Sequence, residues 1–286
     1  MRDFDEDTIT EAVLARLGAT PDPRLRAVMQ SLVRHLHGFV REVEPSFGEW
    51  EAAIAFLTAT GQACDSKRQE FILLSDTLGV SMLVDAINHR MQGEATPTTV
   101  LGPFYVGGVE EKPLGSVLAT GAAGEALHVS GQVTSAGGGP IAGALVDIWH
   151  SDADGLYDVQ RPADEAPELR ARFRTDAEGR FHFWTVAPTA YPVPTDGPVG
   201  RMLDATGRHP MRPAHVHFMI AAPSHRTLVT HVFAAGDAYL DSDAVFGVKD
   251  ALIREFTREA PGTGPDGRML AEPWRALRYD FALKPA

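Results

Sequence analysis

The sequence predicts a mixed α and β fold, with an N-terminal helical region followed by a C-terminal antiparallel β-sandwich. Three observations carry that prediction. Apolar residues recur at threes and fours early in the chain, a proline-punctuated stretch near residue 100 changes the texture, and short β-type runs separated by glycine-rich turns follow it. With 286 residues, 44% hydrophobic and 8% aromatic, the chain can bury one large core or two modest ones.

Helix signals begin at Thr8 and Glu11, which have capping-box spacing, and at Asp22-Pro23, where a capping carboxylate precedes a proline suited to the first helical turn. From there Leu25, Val28, Met29, Leu32, Val33, Leu36, Val40 and Val43 fall on one helix face. Ser66 and Gln69 repeat the capping-box spacing ahead of the run 71–84, which is apolar nearly all round and predicts a buried helix. Asp76 is the anomaly inside that run. The segment 96–104, Thr-Pro-Thr-Thr-Val-Leu-Gly-Pro-Phe, predicts an extended linker because each proline biases its predecessor away from helix. Strands are expected at 128–134, 144–150, 180–186, 215–221 and 228–233, and a final helix at 242–258 with Val245, Val248, Leu252 and Phe256 on one side. The strand-and-turn texture resembles the transthyretin-like and carboxypeptidase-regulatory-like sandwiches, a statement about fold alone.

Charge and cysteine content narrow the function classes. Lys and Arg total 26 against 38 Asp and Glu, a formal net charge of −12 at pH 7. A field of that sign repels nucleic acid and anionic membrane, leaving small molecules and other proteins as partners. Cys64, the single cysteine, excludes an internal disulfide and a cysteine-based zinc site. The opening Met1-Arg2-Asp3-Phe4-Asp5-Glu6-Asp7 is acidic where a signal peptide is basic and then apolar, and no uncharged apolar stretch approaches membrane-spanning length. These features predict a cytoplasmic protein.

His215-Val216-His217 lies in a β-type run, where side chains two apart share a face. Two readings are open: a solvated strand face, or two imidazoles reaching one metal ion. Tyr157, after a strand end and a glycine turn, and Tyr191, between Pro188 and Pro192, likewise read as packed rings or as ligands. Taken together, two phenolates and two imidazoles form a hard, doubly anionic set suited to a trivalent ion such as Fe(III). Arg212, three residues before His215, is either a surface ion pair or a guanidinium that stabilises developing charge beside the site.

The order Trp149…Gly155-Leu156-Tyr157, Tyr191-Pro192 and the run 207–218, Gly-Arg-His-Pro-Met-Arg-Pro-Ala-His-Val-His-Phe, resembles the intradiol ring-cleavage dioxygenases. The resemblance extends to the run 68–79 and to Leu101-Gly102-Pro103-Phe104-Tyr105, and so covers most of the chain. Its nearest branch is the hydroxyquinol 1,2-dioxygenases, with the catechol and chlorocatechol enzymes as near relatives. The resemblance implies a helical linker and dimerisation domain at 1–100, and a β-sandwich catalytic, iron-binding domain at 101–286. It implies Tyr157, Tyr191, His215 and His217 as ligands of one non-haem Fe(III) per subunit, an aromatic diol or triol and O2 as substrates, and a homodimer through the N-terminal helices, with lipid held in an apolar channel in some members. In the family's reaction the diol chelates the iron as a dianion and displaces the ligand expected at Tyr191. The ring opens between the two hydroxylated carbons, and the resulting anhydride is hydrolysed to a dicarboxylate.

Arg212 matches the family's arginine. His231 stands where the catechol enzymes typically carry glutamine; it either donates the equivalent hydrogen bond or is a satisfied core histidine next to Thr230. Leu73, Asp76, Val100, Leu101, Gly102, Pro103, Phe104 and Arg212 are the implied substrate-binding residues. A carboxylate in an apolar helix is costly without a donor; for Asp76 that donor is either a third ring hydroxyl, present in hydroxyquinol and absent from catechol, or an internal partner such as Ser75, Thr77 or a backbone amide. The competing function from a different class is a non-catalytic, transthyretin-like binding module.

Overall fold

A computed structural model describes residues 3–65, 68–90, 93–119, 121–161 and 168–286. Six helices are described: α1 (Ile9–Leu17), α2 (Pro23–Val43), α3 (Phe47–Gln62), α4 (Glu70–Thr77), α5 (Val80–Asn88) and α6 (Pro198–Ala205). The strands, in chain order, are β1 (Ala126–Ser135), β2 (Leu145–His150), β3 (Arg170–Arg174), β4 (Arg180–Val186), β5 (Tyr191–Pro192), β6 (Met211–Arg212) and β7 (His215–Ala221). They continue with β8 (Leu228–Ala234), β9 (Ile253–Arg254), β10 (Thr257–Glu259), β11 (Gly262–Thr263), β12 (Met269–Leu270), β13 (Trp274–Arg278) and β14 (Phe281–Leu283). Two compact units result, Met1–Thr58 and Ala59–Ala286, a division that falls well before the change of sequence texture near residue 100.

In the first unit Asp22 caps α2, its carboxylate accepting from the Arg24 and Leu25 amides at 2.7 and 3.2 Å. Arg41 near the far end of α2 donates to the Glu6 carbonyl at 2.6 Å and to the Thr10 hydroxyl, tying α2 to the start of the chain. Thr8 stands at the N-cap of α1, but its hydroxyl bonds the Asp5 carboxylate at 2.5 Å and caps no helix amide, so the predicted box with Glu11 does not form. No residue of α2 is buried; Leu32, Leu36 and Phe39 are each about half exposed.

The second unit is the sandwich together with α4, α5 and α6. One sheet has the order β3-β2-β7-β8-β9, the other β10-β13-β1-β14 with β4 on β1. Pairing is mostly antiparallel, with parallel pairs where β1 meets β13 and β14 and where β8 meets β9. Between the sheets lie Leu127, Val146, Ile148, Phe173, Phe181, Phe183, Phe218 and Phe281, all essentially buried. The five predicted strands coincide with β1, β2, β4, β7 and β8 to within about two residues at each end.

Two helix expectations fail here. The run 71–84 is two helices, because Gly79 adopts φ +73 and ends the first one, and much of the run is exposed, with Leu83 at 61%. Leu73, Asp76 and Thr77 face inward. The Ser66 half of the predicted capping box lies outside the described residues. The helix expected at 242–258 is a turn, a short 3-10 segment at Asp250–Leu252 and the strands β9 and β10. Val245, Leu252 and Phe256 are buried as predicted, but the Asp243 carboxylate accepts the Val245 and Gly247 amides, holding the chain in a loop. The extended segment 96–104 is extended, yet Thr96, Thr98, Thr99 and Val100 are buried on the sandwich, held by Thr96 N–H to Ala282 and Thr99 N–H to Val229.

Candidate active site and metal centre

Register places the site. β7 sets His215 and His217 on one face, and His217 stands opposite His231 on β8 and opposite Trp149 on β2. The two-residue ladder β5–β6 pairs Tyr191 with Arg212. Tyr157 follows the turn after β2, with its amide held by the Gln160 side chain at 2.9 Å. All seven side chains are buried, the most exposed at 3%.

The donor atoms converge. Tyr157 Oη lies 2.9 Å from His217 Nε2 and 3.1 Å from Tyr191 Oη, and His217 Nε2 lies 3.1 Å from His215 Nε2. His215 Nδ1 donates to the Pro213 carbonyl at 2.6 Å, which fixes the tautomer and leaves the Nε2 lone pair facing the cluster. The nearest nitrogens of His215, His217 and His231 fall within 4.8 Å of one another. Tyr157 Oη donates to Tyr191 Oη, and His217 Nε2 lies within hydrogen-bond distance of both Tyr157 Oη and His215 Nε2. Lone pairs outnumber protons at the centre of a buried cluster, and a cation there satisfies them together. The residues fit a metal ion of the hard, oxygen- and imidazole-binding kind.

Burial dominates the electrostatics. It pushes the Tyr157 hydroxyl well above its ordinary value, reinforced by Tyr191, and raises Tyr191 despite the opposing pull of Arg212. It drives His215 down to about 3, aided by the Arg212 charge, and lowers His217 and His231. Each imidazole is therefore neutral and free to ligate, whereas each phenol ionises only when a positive charge sits against it. Arg212 supplies part of that charge. Burial alone would lower its pKa, but Asp243 and the two phenols raise it, so it stays cationic.

The ring walls are fixed from outside. Phe104 stacks on Tyr157 with centroids 4.4 Å apart, and Trp149 stacks on His217 at 4.6 Å and 18°. Arg170, buried, donates to the Phe104 carbonyl at 3.1 Å and pairs with Asp158, clamping the Phe104 and Tyr157 loops together. Gly102 has φ +77, and a Cβ there would sit 3.3 Å from His217 Cε1, so both backbone and space favour glycine.

Beside Tyr157 and Tyr191 opens a cavity of about 520 Å³ whose walls include Leu73, Pro103, Phe104, Leu156 and Val193. Of the predicted pocket residues, Leu73, Pro103 and Phe104 line it. Val100 packs behind in an apolar cluster with Leu73 and Val245, Gly102 lies against His217, and Leu101 is 39% exposed. Asp76 is buried on α4. Burial raises its pKa, while the Ser81 hydroxyl and the Arg212 charge act the other way. Sequence reasoning missed Asp243, which binds Arg212 through two oxygens at 3.0 and 3.3 Å, and it missed Arg170. Neither has a local motif, since their partners lie far away in the chain.

A family model described as dioxygenase matches residues 100–285, and one described as catechol dioxygenase N terminus matches residues 22–96. The chain belongs to the intradiol ring-cleavage dioxygenase family. As such a dioxygenase it is similar to 6-chlorohydroxyquinol 1,2-dioxygenase of Cupriavidus pinatubonensis, 52% identical over 100% of this chain and 99% of that one. It is 50% identical to hydroxyquinol 1,2-dioxygenase of Nocardioides simplex, over 98% and 96% of the two chains. Among solved structures, hydroxyquinol 1,2-dioxygenase from Pseudomonas putida DLL-E4 superposes with a TM-score of 0.90 at 48% identity, covering 98% of this chain and 99% of that one. This dioxygenase therefore shares the two-part architecture of its family, and the family implies a metal cofactor.

Proposed function

We propose that this dioxygenase cleaves hydroxyquinol (1,2,4-trihydroxybenzene) between its adjacent hydroxylated carbons, using O2, to give 3-hydroxy-cis,cis-muconate, that is, maleylacetate, in aromatic catabolism. The observation that carries the reading is the convergence of Tyr157, Tyr191, His215 and His217, with Arg212 beside them, in a chain similar over its whole length to hydroxyquinol-cleaving enzymes.

Tyr157, Tyr191, His215 and His217 would hold one non-haem Fe(III) per subunit. Bound there, the ion would supply Lewis acidity towards the two adjacent hydroxyls of an aromatic diol. Tyr191 Oη, which burial drives towards the neutral phenol against the pull of Arg212, accepts a proton from a ring hydroxyl as the diol enters. Arg212 then stabilises negative charge developing on the ring, without losing its own proton. His231 Nδ1, 3.5 Å from Arg212 Nη2, braces the guanidinium and offers a hydrogen bond at the edge of the site. The apolar wall of Leu73, Pro103 and Phe104 fixes the ring plane, with Val100 packed behind it. Asp76, raised by burial, takes the third ring hydroxyl as its partner.

In this reading residues 1–100 form the helical linker and dimerisation domain and 101–286 the catalytic domain. The exposed apolar residues of α2 support a homodimer and, as the family resemblance implies, a lipid channel. No helix among the described residues is long and apolar enough to cross a membrane; the single cysteine, Cys64, supports a cytoplasmic enzyme.

Oxygen uptake and product absorbance, followed separately with hydroxyquinol and catechol and corrected for autoxidation, test the substrate. Uptake should be faster on hydroxyquinol, and Asp76→Ala should cost hydroxyquinol turnover about 10-fold more than catechol turnover, the scale of one lost hydrogen bond to a charged group. Preference for catechol in the wild type would move the chain to the catechol branch; equal losses in the variant would assign Asp76 to structure.

A further inference from the structure

The loop that replaces the predicted last helix passes directly over Arg212. Asp243 Oδ1 accepts Arg212 Nε–H at 3.0 Å and Oδ2 accepts Nη2–H at 3.3 Å, with both side chains almost fully buried. The carboxylate is itself held by the Val245 amide at 3.3 Å and the Gly247 amide at 2.9 Å. The Ala244 amide donates to the Met211 carbonyl, so the loop is docked alongside the residue preceding Arg212. Arg212 presents its other edge to the cluster, with Nη1 3.4 Å from His215 Nε2. Against the upward push of burial, the guanidinium holds the Asp243 carboxyl below its ordinary value.

The rest of the loop is anchored. Phe246 adopts φ +59, an uncommon conformation for a bulky residue, with the Arg208 guanidinium 5.1 Å over its ring. Arg208 also donates to the Thr77 and Ala244 carbonyls, and Lys249 bonds Asp85 and the Thr98 carbonyl. A Cβ on Gly247 would lie 3.0 Å from Arg212 Nη2, 3.1 Å from Thr99 Oγ1 and 3.2 Å from Asp243 Oδ2. Gly247 does not occupy the left-handed region, so it is the closeness of the guanidinium, and not backbone strain, that calls for glycine there.

We infer that Asp243 is a positioning residue for the ring-opening reaction: with Gly247 it forms a rigid seat that fixes which edge of Arg212 faces the substrate. The inference rests on the role given to Arg212 in the proposed reaction. A long, flexible arginine has several rotamers available, and a buried bidentate carboxylate selects one of them. Misplacing a catalytic group by about 1 Å can cost on the order of 100-fold in rate.

The test uses the iron-loaded full chain. In Asp243→Asn the iron-to-protein ratio and the visible band should match wild type, while kcat per bound iron falls about 100-fold and KM changes less than about 3-fold. Gly247→Ala retains every charge and nudges the guanidinium; kcat per bound iron should fall about 10-fold, with Arg212 displaced in its crystal structure. Should Asp243→Asn fail to fold or bind iron, Gly247→Ala decides. A variant whose melting temperature or iron content drops while kcat per bound iron stays within 2-fold of wild type makes the pair purely structural and overturns the inference. No turnover by the iron-loaded wild type on any diol would instead sink the functional reading, and Asp243's role with it.

Discussion

The helices of the first unit and the sandwich of the second treat side chains in opposite ways. In the first, α2 has a well-formed apolar face and no buried residue, and α3 exposes Phe47 at 86% and Trp50 at 55%. In the second, the sandwich buries not only its phenylalanines but also Arg212, Asp243, His215, His217 and His231. Exposed apolar area is a cost unless something covers it, whereas buried charge is a cost unless something pairs it. The helices of the first unit thus leave apolar area uncovered, whereas the sandwich of the second pairs its charges internally and gathers lone pairs in a buried cluster that fits an ion. The contrast implies that losses in the second unit strike chemistry, while losses in the first strike assembly.

The largest effect should come from that lone-pair set. His217→Ala or Tyr157→Phe should weaken iron binding beyond the roughly 10- to 100-fold that outer-shell changes typically cost, with ring cleavage lost in parallel. Iron analysis after dialysis, paired with oxygen uptake, checks it, and an intact iron content in either variant would break the assignment of the second unit's site.

Next comes the cover. Placing charge on the α2 face, Phe39→Asp with Leu36→Asp, should convert a dimer to monomers in sedimentation, since each large apolar side chain contributes about 1.5–3 kcal/mol when buried. Iron content and kcat per iron should stay near wild type. A wild type that sediments as a monomer would remove the need for a cover altogether.

The smallest effect is a pH slope that belongs to the second unit. Burial lowers His128 and His150 to about 4 in the fold, against an ordinary 6.5. The unfolded chain therefore binds more protons between those values, and stability is full above pH 6.5 and falls as pH drops towards 4. His150, whose two nitrogens meet the Ser151 carbonyl at 2.7 Å and the Thr185 hydroxyl at 2.8 Å, should account for about 2–3 kcal/mol of that loss. Thermal melts from pH 7.5 to 4.5 measure the slope. Replacing His128 by Phe should flatten it, and an unchanged slope would show that the group titrates normally.

Legibility in the sequence followed range. The alternating run around His215 and His217 announced a strand with two imidazoles on one face, and the proline-flanked Tyr191 announced a fixed side chain; the structure brings both to within hydrogen-bond reach of Tyr157 through that tyrosine and His217. Asp22-Pro23 announced the start of α2, because a cap is decided by adjacent residues. By contrast, Val245, Val248, Leu252 and Phe256 mimic a helical face, because a loop strapped across the sandwich buries residues at similar intervals. What breaks the mimicry is Asp243, whose partner Arg212 lies 31 residues earlier, beyond any local pattern. The stop at Gly79 is written in the run 71–84 as a glycine, but the apolar residues on both sides of it share the pattern of one continuous helix.

The proposed reaction stands on Tyr157, Tyr191, His215 and His217 forming a phenolate–imidazole iron site. The most direct measurement is the visible absorption spectrum of the purified protein with its iron stoichiometry, recorded before and after anaerobic addition of hydroxyquinol. The account predicts one iron per chain and a phenolate-to-Fe(III) band that shifts when the diol binds. A protein that stays colourless and inactive after iron reconstitution would contradict it and return the sandwich to a ligand-binding role.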